Sequence, residues 1–447
     1  MGIFPVCPGC LPERGEVTSS RKIGWVALVA STYAMVAGGP FGLEEIVQTN
    51  GYRGALLIIC ITPLLWALPT TLMVSELTSA IPETGGYYVW VRRALGPFWG
   101  FQETWLTFVG SIFDMALYPI LFSTYLVHLV PSLGNGHTPF AMGMLMIAVC
   151  VAMNLLGTRF VGEGSIIFVL ALLAPFAVLV GYGLVFAHPA AARPALTRTD
   201  LLGGILIGMW NYMGWDNAST IAGDVEDARR TYTRAMAVAL VIVVLTYVIP
   251  IAAVWRAGIP ASSWETGAWV TFAKALGGER LAVLMTAAGV VAALSTFNAL
   301  VMSLSRLPYA MARDGFLPPV LARENVRGAP WVAIVVCSGF WALATVLGFE
   351  ATVMLDVLMT GLSILLEFAA LIALRVTEPN LPRTFRVGGG LAGVILLSLP
   401  PAVLIVISCA RNHAERIGPV NALTIGAGLV LLGVACYYLG KRRMAGQ

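Results

Sequence analysis

Gly38-Gly39-Pro40-Phe41-Gly42 interrupts an apolar run that opens near Lys22 and is long enough to cross a bilayer. Pro40 has no N–H to donate and clashes with the preceding turn, while the glycines around it accept the dihedral angles that a break demands. In hydrocarbon an unpaired backbone N–H or C=O costs several kcal/mol, so an unwound stretch survives only where it lines a cavity and finds other partners. Freed amides at the start of the outer half-helix attract a carboxylate; freed carbonyls at the end of the inner half attract an ammonium or a metal ion. A second interruption, Trp210-Asn211-Tyr212-Met213-Gly214-Trp215-Asp216-Asn217, falls midway through the sixth apolar segment. Matching interruptions in two halves of a membrane chain mark an inverted-repeat transporter, whereas a proline kink with close helix packing accounts for either one alone.

The composition requires a membrane. Of 447 residues, 58% are hydrophobic and only 11% charged, with a mean hydropathy of +0.84; soluble domains carry roughly 25% charged residues. Twelve spans begin near positions 22, 54, 98, 138, 161, 201, 233, 281, 329, 351, 391 and 417. The fold class is therefore an all-α polytopic membrane protein of 12 transmembrane helices. It comprises a 5+5 inverted repeat with helices 1 and 6 broken, plus two C-terminal helices. The domain reading is a tail (1–21), one transporter domain (22–440) and a second tail (441–447), with repeats near 22–187 and 201–375 and the extra helices near 391–440. Most of the 27 basic residues fall on the side of the termini, among them Arg92, Arg93, Arg229, Arg230, Arg375 and Lys441. That bias puts both termini in the cytoplasm of a cell-membrane protein. The stretch from Pro82 to Pro97 reads as an amphipathic cytoplasmic segment, and the external stretch from Ile259 to Gly278 as a short re-entrant or capping helix.

Several function classes drop out. The net charge of +4 is spread between the spans with no basic face for nucleic acid. His128, His137, His188 and His413 fall in predicted external connections, so the membrane interior holds no zinc-protease motif or histidine relay. Neither a catalytic centre, a metal site nor a cofactor is called for, and the chain does not read as an enzyme. Cys7-Pro8-Gly9-Cys10 lacks the second pair that would complete a zinc site.

Acids at membrane depth cost roughly 2.5–3.5 kcal/mol each on insertion scales and are therefore functional candidates. Glu44, Asp114 and Asp216, with Tyr118, Trp210, Tyr212 and Trp215, form a set that could wall an anionic, aromatic pocket for an organic cation. A backbone N–H at a half-helix start would satisfy any one of these acids without a substrate. Glu45 and Glu76 are candidates for carrying a coupling proton, as are Glu44 and Asp114; a sodium ion would use Ser295 and Thr296 on span eight. The number of buried acids favours the proton. Glu367 is expected to be structural or to pair with an arginine such as Arg375.

Six stretches carry a resemblance: GGPFGLEE from Gly38, PETGGYYVWVRRALGPFWGFQETW from Pro82, DMALYPILFSTYL from Asp114, WNYMGWDNASTIAGDVEDARRTY from Trp210, SRLPYAMARDGFLP from Ser305 and LLEFAALIALR from Leu365. In this order and spacing, from Lys22 to Arg443, the chain resembles the amino acid/polyamine/organocation superfamily. Within it the likeness is to the L-type branch that holds plant and protozoan polyamine uptake transporters. The resemblance implies alternating access, with Gly38, Gly39 and Phe41 at the substrate's polar head and Asn211, Tyr212, Gly214 and Trp215 opposite. It implies too that the acid after Gly42 and Asp114 mark polyamine-like members. Thr384 to Gly388 and Asp227 to Thr231 depart from the family pattern, both in cytoplasmic loops. The short, cysteine-free third external connection gives no reason to expect a disulfide-linked accessory subunit. The partners are then a small-molecule substrate, a coupling proton or sodium ion, and the lipid bilayer. A polyamine importer, an amino acid permease or exchanger and a non-transporting sensor are the rival readings, the short predicted tails counting against the sensor.

Overall fold

The computed structural model describes residues 22–185, 199–265, 267–345, 349–411, 416–417 and 420–445; Cys7, Cys10, His188 and His413 lie outside them. The described chain is almost entirely helical. α1 (Trp25–Val36) and α2 (Glu44–Thr62) flank the first interruption. Gly51, at φ 65° and ψ 174°, bends α2 sharply, so Glu44–Asn50 is a separate half-helix and the chain then turns back. The returning segment runs through a π-helical stretch, Pro63–Ala67, into α3 (Leu68–Ala80). There follow α4 (Tyr87–Leu95), α5 (Pro97–Leu129), α6 (Thr138–Leu155), α7 (Thr158–Val185) and α8 (Leu201–Asn211). Beyond a 3₁₀ segment, Asp216–Asp224, come α9 (Ala228–Arg256) and α10 (Ala268–Leu304), the latter bent at Gly278. The chain ends in α11 (Arg306–Arg313), α12 (Trp331–Ala344), α13 (Phe349–Thr377), α14 (Gly390–Arg411) and α15 (Ala422–Ala445).

Among the described residues nine helices are long and apolar enough to cross a membrane. The interrupted segments are shorter because each is cut in two: α1 has 12 residues and α8 has 11. After its break the sixth segment continues as 3₁₀ rather than α-helix. In the apolar stretch of Ala268–Arg313, 67% of positions are buried inside the protein, against 22% in that of α14 and 17% in that of α15. The last two helices therefore stand at the periphery, facing lipid. Within the stretch Ile259–Gly278, expected to hold a short helix, α10 begins at Ala268 and Gly278 (φ 73°) separates that first part from the span.

The two interrupted segments are joined at their base. Ile23 N–H donates to Asp224 O at 2.9 Å, and Glu226 N–H donates to Ile23 O at 3.0 Å. α4 lies on the same face, with Tyr87, Tyr88 and Trp90 buried, and Gly85 N–H donates to Thr220 O at 2.8 Å. Gly86 holds φ 44° there, and a Cβ on it would come within 2.6 Å of the Ser219 carbonyl carbon.

Ion pairs cluster on this face. Arg93 makes a two-point contact with Glu378, at 2.9 and 2.6 Å, and holds that carboxyl below its ordinary range. Arg92 pairs with Asp314, and Arg306 with Asp224 at 2.9 Å. Deepest is Glu76, fully buried, which accepts from Arg375 Nε and Nη2 at 2.6 Å each and from Val387 N–H at 2.8 Å, and is ion-paired with Arg383 at 3.2 Å. The sequence leaves Glu367 either structural or paired with an arginine such as Arg375, and it does not pair with Arg375. The two are eight residues apart on one helix, about 12 Å of rise, beyond the three- or four-residue spacing at which helical neighbours meet. Glu76, delivered by α3, takes the arginine instead. Glu76→Gln leaves two arginines without their shared carboxylate and should destabilise the fold by about 3–5 kcal/mol, read as a lowered melting temperature in detergent.

Candidate functional site

Both interruptions open onto one cavity of about 620 Å³, the size range of small-molecule sites. Its wall is built from the non-helical residues of the two breaks and from the facing sides of α5, α10 and α13. Gly39 (φ 79°) and Gly42 (φ 88°) take the left-handed angles that release the first break, and Gly214 (φ 91°) does so for the second. The breaks touch: a Cβ on Gly214 would stand 2.8 Å from the Met35 carbonyl oxygen.

Side chains take up several of the released backbone groups. Gly42 N–H donates to Glu44 Oε2 at 2.7 Å. Pro40 O accepts from Trp269 Nε1 at 3.0 Å, and Gly42 O accepts from Asn211 Nδ2 at 3.4 Å. In the second break Asn211 O accepts from Tyr247 Oη at 2.8 Å, and Asn217 O accepts from Ser303 Oγ at 2.8 Å. Phe41 is fixed against Phe176 and Tyr125, its ring centroid 5.3 and 5.5 Å from theirs.

Of the sequence-derived candidates, Gly38, Phe41, Glu44, Glu45, Asp114, Tyr118, Trp210, Asn211, Gly214, Asp216 and Thr296 line this one cavity. Glu45 is exposed, while Glu44 and Asp216 are buried. Tyr118 donates its hydroxyl to Asp114 at 3.1 Å. Gly39 turns the other way, a Cβ there meeting Leu172 of α7 at 3.1 Å. Tyr212 and Trp215 are fully buried outside the lining, with Tyr212 donating to Ile59 O at 3.0 Å. Ser295 is buried beside Thr296, and neither hydroxyl has a hydrogen-bond partner. Glu76 lies away from the cavity, held by Arg375 and Arg383.

Asp356 escaped the sequence reading. It sits near the predicted start of its span, where an acid reads as an ordinary end residue. It is only 6% exposed, lines the cavity and accepts from Thr360 at 3.0 Å. A Cβ on Gly110 would touch its Oδ1 at 3.3 Å, so the lack of a side chain at Gly110 is what admits it against α5. With Asp200, which caps α8 by accepting from Gly203 N–H at 2.9 Å, the described lining residues hold six carboxyl groups and not one Lys, Arg or His.

A family profile described as amino acid permease matches residues 28–436. The polyamine transporter RMV1 of Arabidopsis thaliana is 31% identical over 440 residues, covering 96% of this chain and 88% of that protein. The polyamine transporter PUT1 of Oryza sativa subsp. japonica is 32% identical, over 93% and 78% of the two chains. The human Asc-type amino acid transporter 1 is 25% identical, over 97% and 84%. Where the breaks meet, Gly214→Ala should cost about 1–3 kcal/mol from left-handed strain and the Met35 contact, seen as a lower melting temperature and loss of ligand-induced stabilisation.

Proposed function

The chain belongs to the amino acid permease family, whose members are transporters rather than enzymes, and we propose that its substrate is a polyamine carried by alternating access. The observation that carries this reading is the cavity of six carboxyl groups without a basic side chain. A zwitterionic amino acid needs an anion site at the start of the outer half-helix, and there Glu44 already occupies the Gly42 amide. What remains to be neutralised is negative charge at Asp114, Asp216, Asp356 and Glu45, which suits two or more ammonium groups. Tyr118, Tyr125, Trp210 and Tyr247 supply aromatic faces for them. The similarity to two plant polyamine transporters runs the same way.

On this reading the half-helix pairs α1 with Glu44–Asn50, and α8 with Asp216–Asp224, are the broken spans 1 and 6. Counting each as one, and α10 from Gly278, the helices make twelve spans with an inverted repeat of five. The arginine-rich face carrying α4 is then cytoplasmic, with the termini, in the cell membrane. Transport is driven by a proton gradient, the surplus of buried acids supporting protons. A sodium ion is the second reading, favoured by the unpartnered hydroxyls of Ser295 and Thr296 beside Gly38.

Purified protein in liposomes, given labelled putrescine, spermidine, leucine or arginine under imposed proton or sodium gradients, tests both choices. Amine accumulation driven by protons is expected, with Asp114→Asn and Asp356→Asn each lowering it about tenfold, the equivalent of about 1.4 kcal/mol. Leucine uptake without amine uptake would sink the polyamine reading. Glu44→Ala frees the Gly42 amide and should raise leucine uptake relative to putrescine.

A further inference from the structure

α5 and α13 run antiparallel against each other, and their polar residues pair as rungs. Thr107 and Ser363 share a hydroxyl contact of 2.8 Å. Gly110 faces Thr360 and Asp356, a Cβ on it reaching Thr360 Oγ1 at 3.3 Å. That register sets Asp114 beside Asp356 at the cavity and Glu103 beside Glu367 three helical turns further in. Eleven residues on each helix separate the two acidic rungs, a rise of about 16 Å. Each helix thus repeats an acid on the same face.

The inner rung lies outside the substrate cavity and is sealed. Glu103 and Glu367 are both fully buried. Glu103 accepts from Ser363 Oγ at 2.8 Å, from Thr107 Oγ1 at 3.1 Å and from Thr104 Oγ1 at 3.3 Å. Neither carboxyl oxygen of Glu367 has a hydrogen-bond partner. α4, packed on both α5 and α13, supplies Tyr87, fully buried, its hydroxyl beside Thr107 with no hydrogen bond of its own. Among the cations of the elements packed around the rung, Arg375 pairs with Glu76, Arg92 with Asp314, Arg93 with Glu378 and Arg306 of α11 with Asp224. α14 and α15 carry charge only towards their C-terminal ends, at Arg411 and at Lys441, Arg442 and Arg443.

An ionised carboxylate in such a place has neither water nor a counter-charge, whereas the neutral acid can both donate and accept a hydrogen bond. Thr107 lines the cavity and touches Glu103, giving the rung one polar contact with the substrate side. We propose that Glu103 and Glu367 form a proton-binding site, separate from the substrate's carboxylates, whose single exchangeable proton couples transport to the proton gradient. The proton arrives past Thr107 while the cavity faces outward, is held on Glu367 against Glu103 and Tyr87, and leaves when the α4 face opens. The proposal rests on the proton-driven reading above; it does not depend on which substrate fills the cavity.

The test uses the full chain in liposomes with a trapped pH dye, following labelled spermidine and leucine. Glu367→Gln and Glu103→Gln should lose proton-driven accumulation by about tenfold, and substrate-dependent acidification with it, yet keep gradient-free exchange of labelled for unlabelled substrate within about twofold. Glu367→Asp should recover part of the accumulation. Gln variants that keep the wild-type response to the pH gradient overturn the site, as do folded variants whose exchange falls as far as accumulation. If the Gln variants do not fold, Tyr87→Phe decides: a shifted pH for half-maximal uptake supports the site, an unshifted one overturns it. Wild-type protein that carries leucine and no amine ends the polyamine reading and leaves the proton site to be judged on leucine. Wild-type protein driven only by sodium ends the proton site and leaves the acidic cavity in place, and protein that moves neither substrate under either gradient overturns both.

Discussion

The Gly42 N–H to Glu44 carboxylate bond, 2.7 Å long, sets what the interrupted first segment has left to offer. A helix start in a membrane presents unpaired donors and the positive end of a dipole, and something negative must meet them. Here the chain meets them with its own side chain, one residue into the half-helix. The Trp269, Asn211 and Tyr247 contacts do the same for carbonyls of the two breaks. With several of these backbone groups answered from within, what the cavity adds is a surplus of side-chain acid. Its chemistry is that of carboxyl groups seeking cations.

That surplus depends on how α5 meets α13. Glycine at position 110 lets Asp356 lie directly against α5, and the Thr107–Ser363 contact fixes the register. Shifting one helix by a residue would rotate its acids by about 100° and scatter both rungs. The arginines that might have neutralised them are fixed on one face, where Glu76 binds Arg375 and Glu378 binds Arg93. Separating cations from anions along the helix axes is therefore a property of the packing, and a costly one unless each site has a further occupant.

The interruptions were legible in the sequence because glycine and proline change backbone options wherever they stand, irrespective of context. The half-helix from Glu44, the buried face of α4 and the short helix at Ala268 followed from the same local rules. Side-chain destinations beyond a break were not legible. Once the chain leaves the helix at Tyr212 there is no 3.6-residue period to say which way Tyr212 or Trp215 points, and both turn into the core. That Arg375 meets Glu76 rather than an acid on its own helix was not legible either, because partner choice is tertiary and α3 brings Glu76 closer. Asp356 and Glu103 sit near the predicted ends of their spans, where hydropathy does not distinguish an interfacial acid from a buried one; only packing against the partner helix does.

An acidic cavity of this kind also constrains the transport cycle on the proposed reading. Reorientation closes the cavity, and closing lowers the dielectric around charges that have no fixed counter-ion, raising the energy of the empty, ionised protein. A polyamine removes that penalty by serving as the missing counter-charge. Protons on the carboxyl groups remove it as well, which opens a return path for the unloaded protein. A second protonation site below the cavity makes the two events distinguishable, because its occupancy does not compete with the substrate for the same oxygens. Coupling then needs no long-range signal through the backbone. It follows from which combinations of bound cations leave the α5–α13 interface neutral enough to be sealed from water.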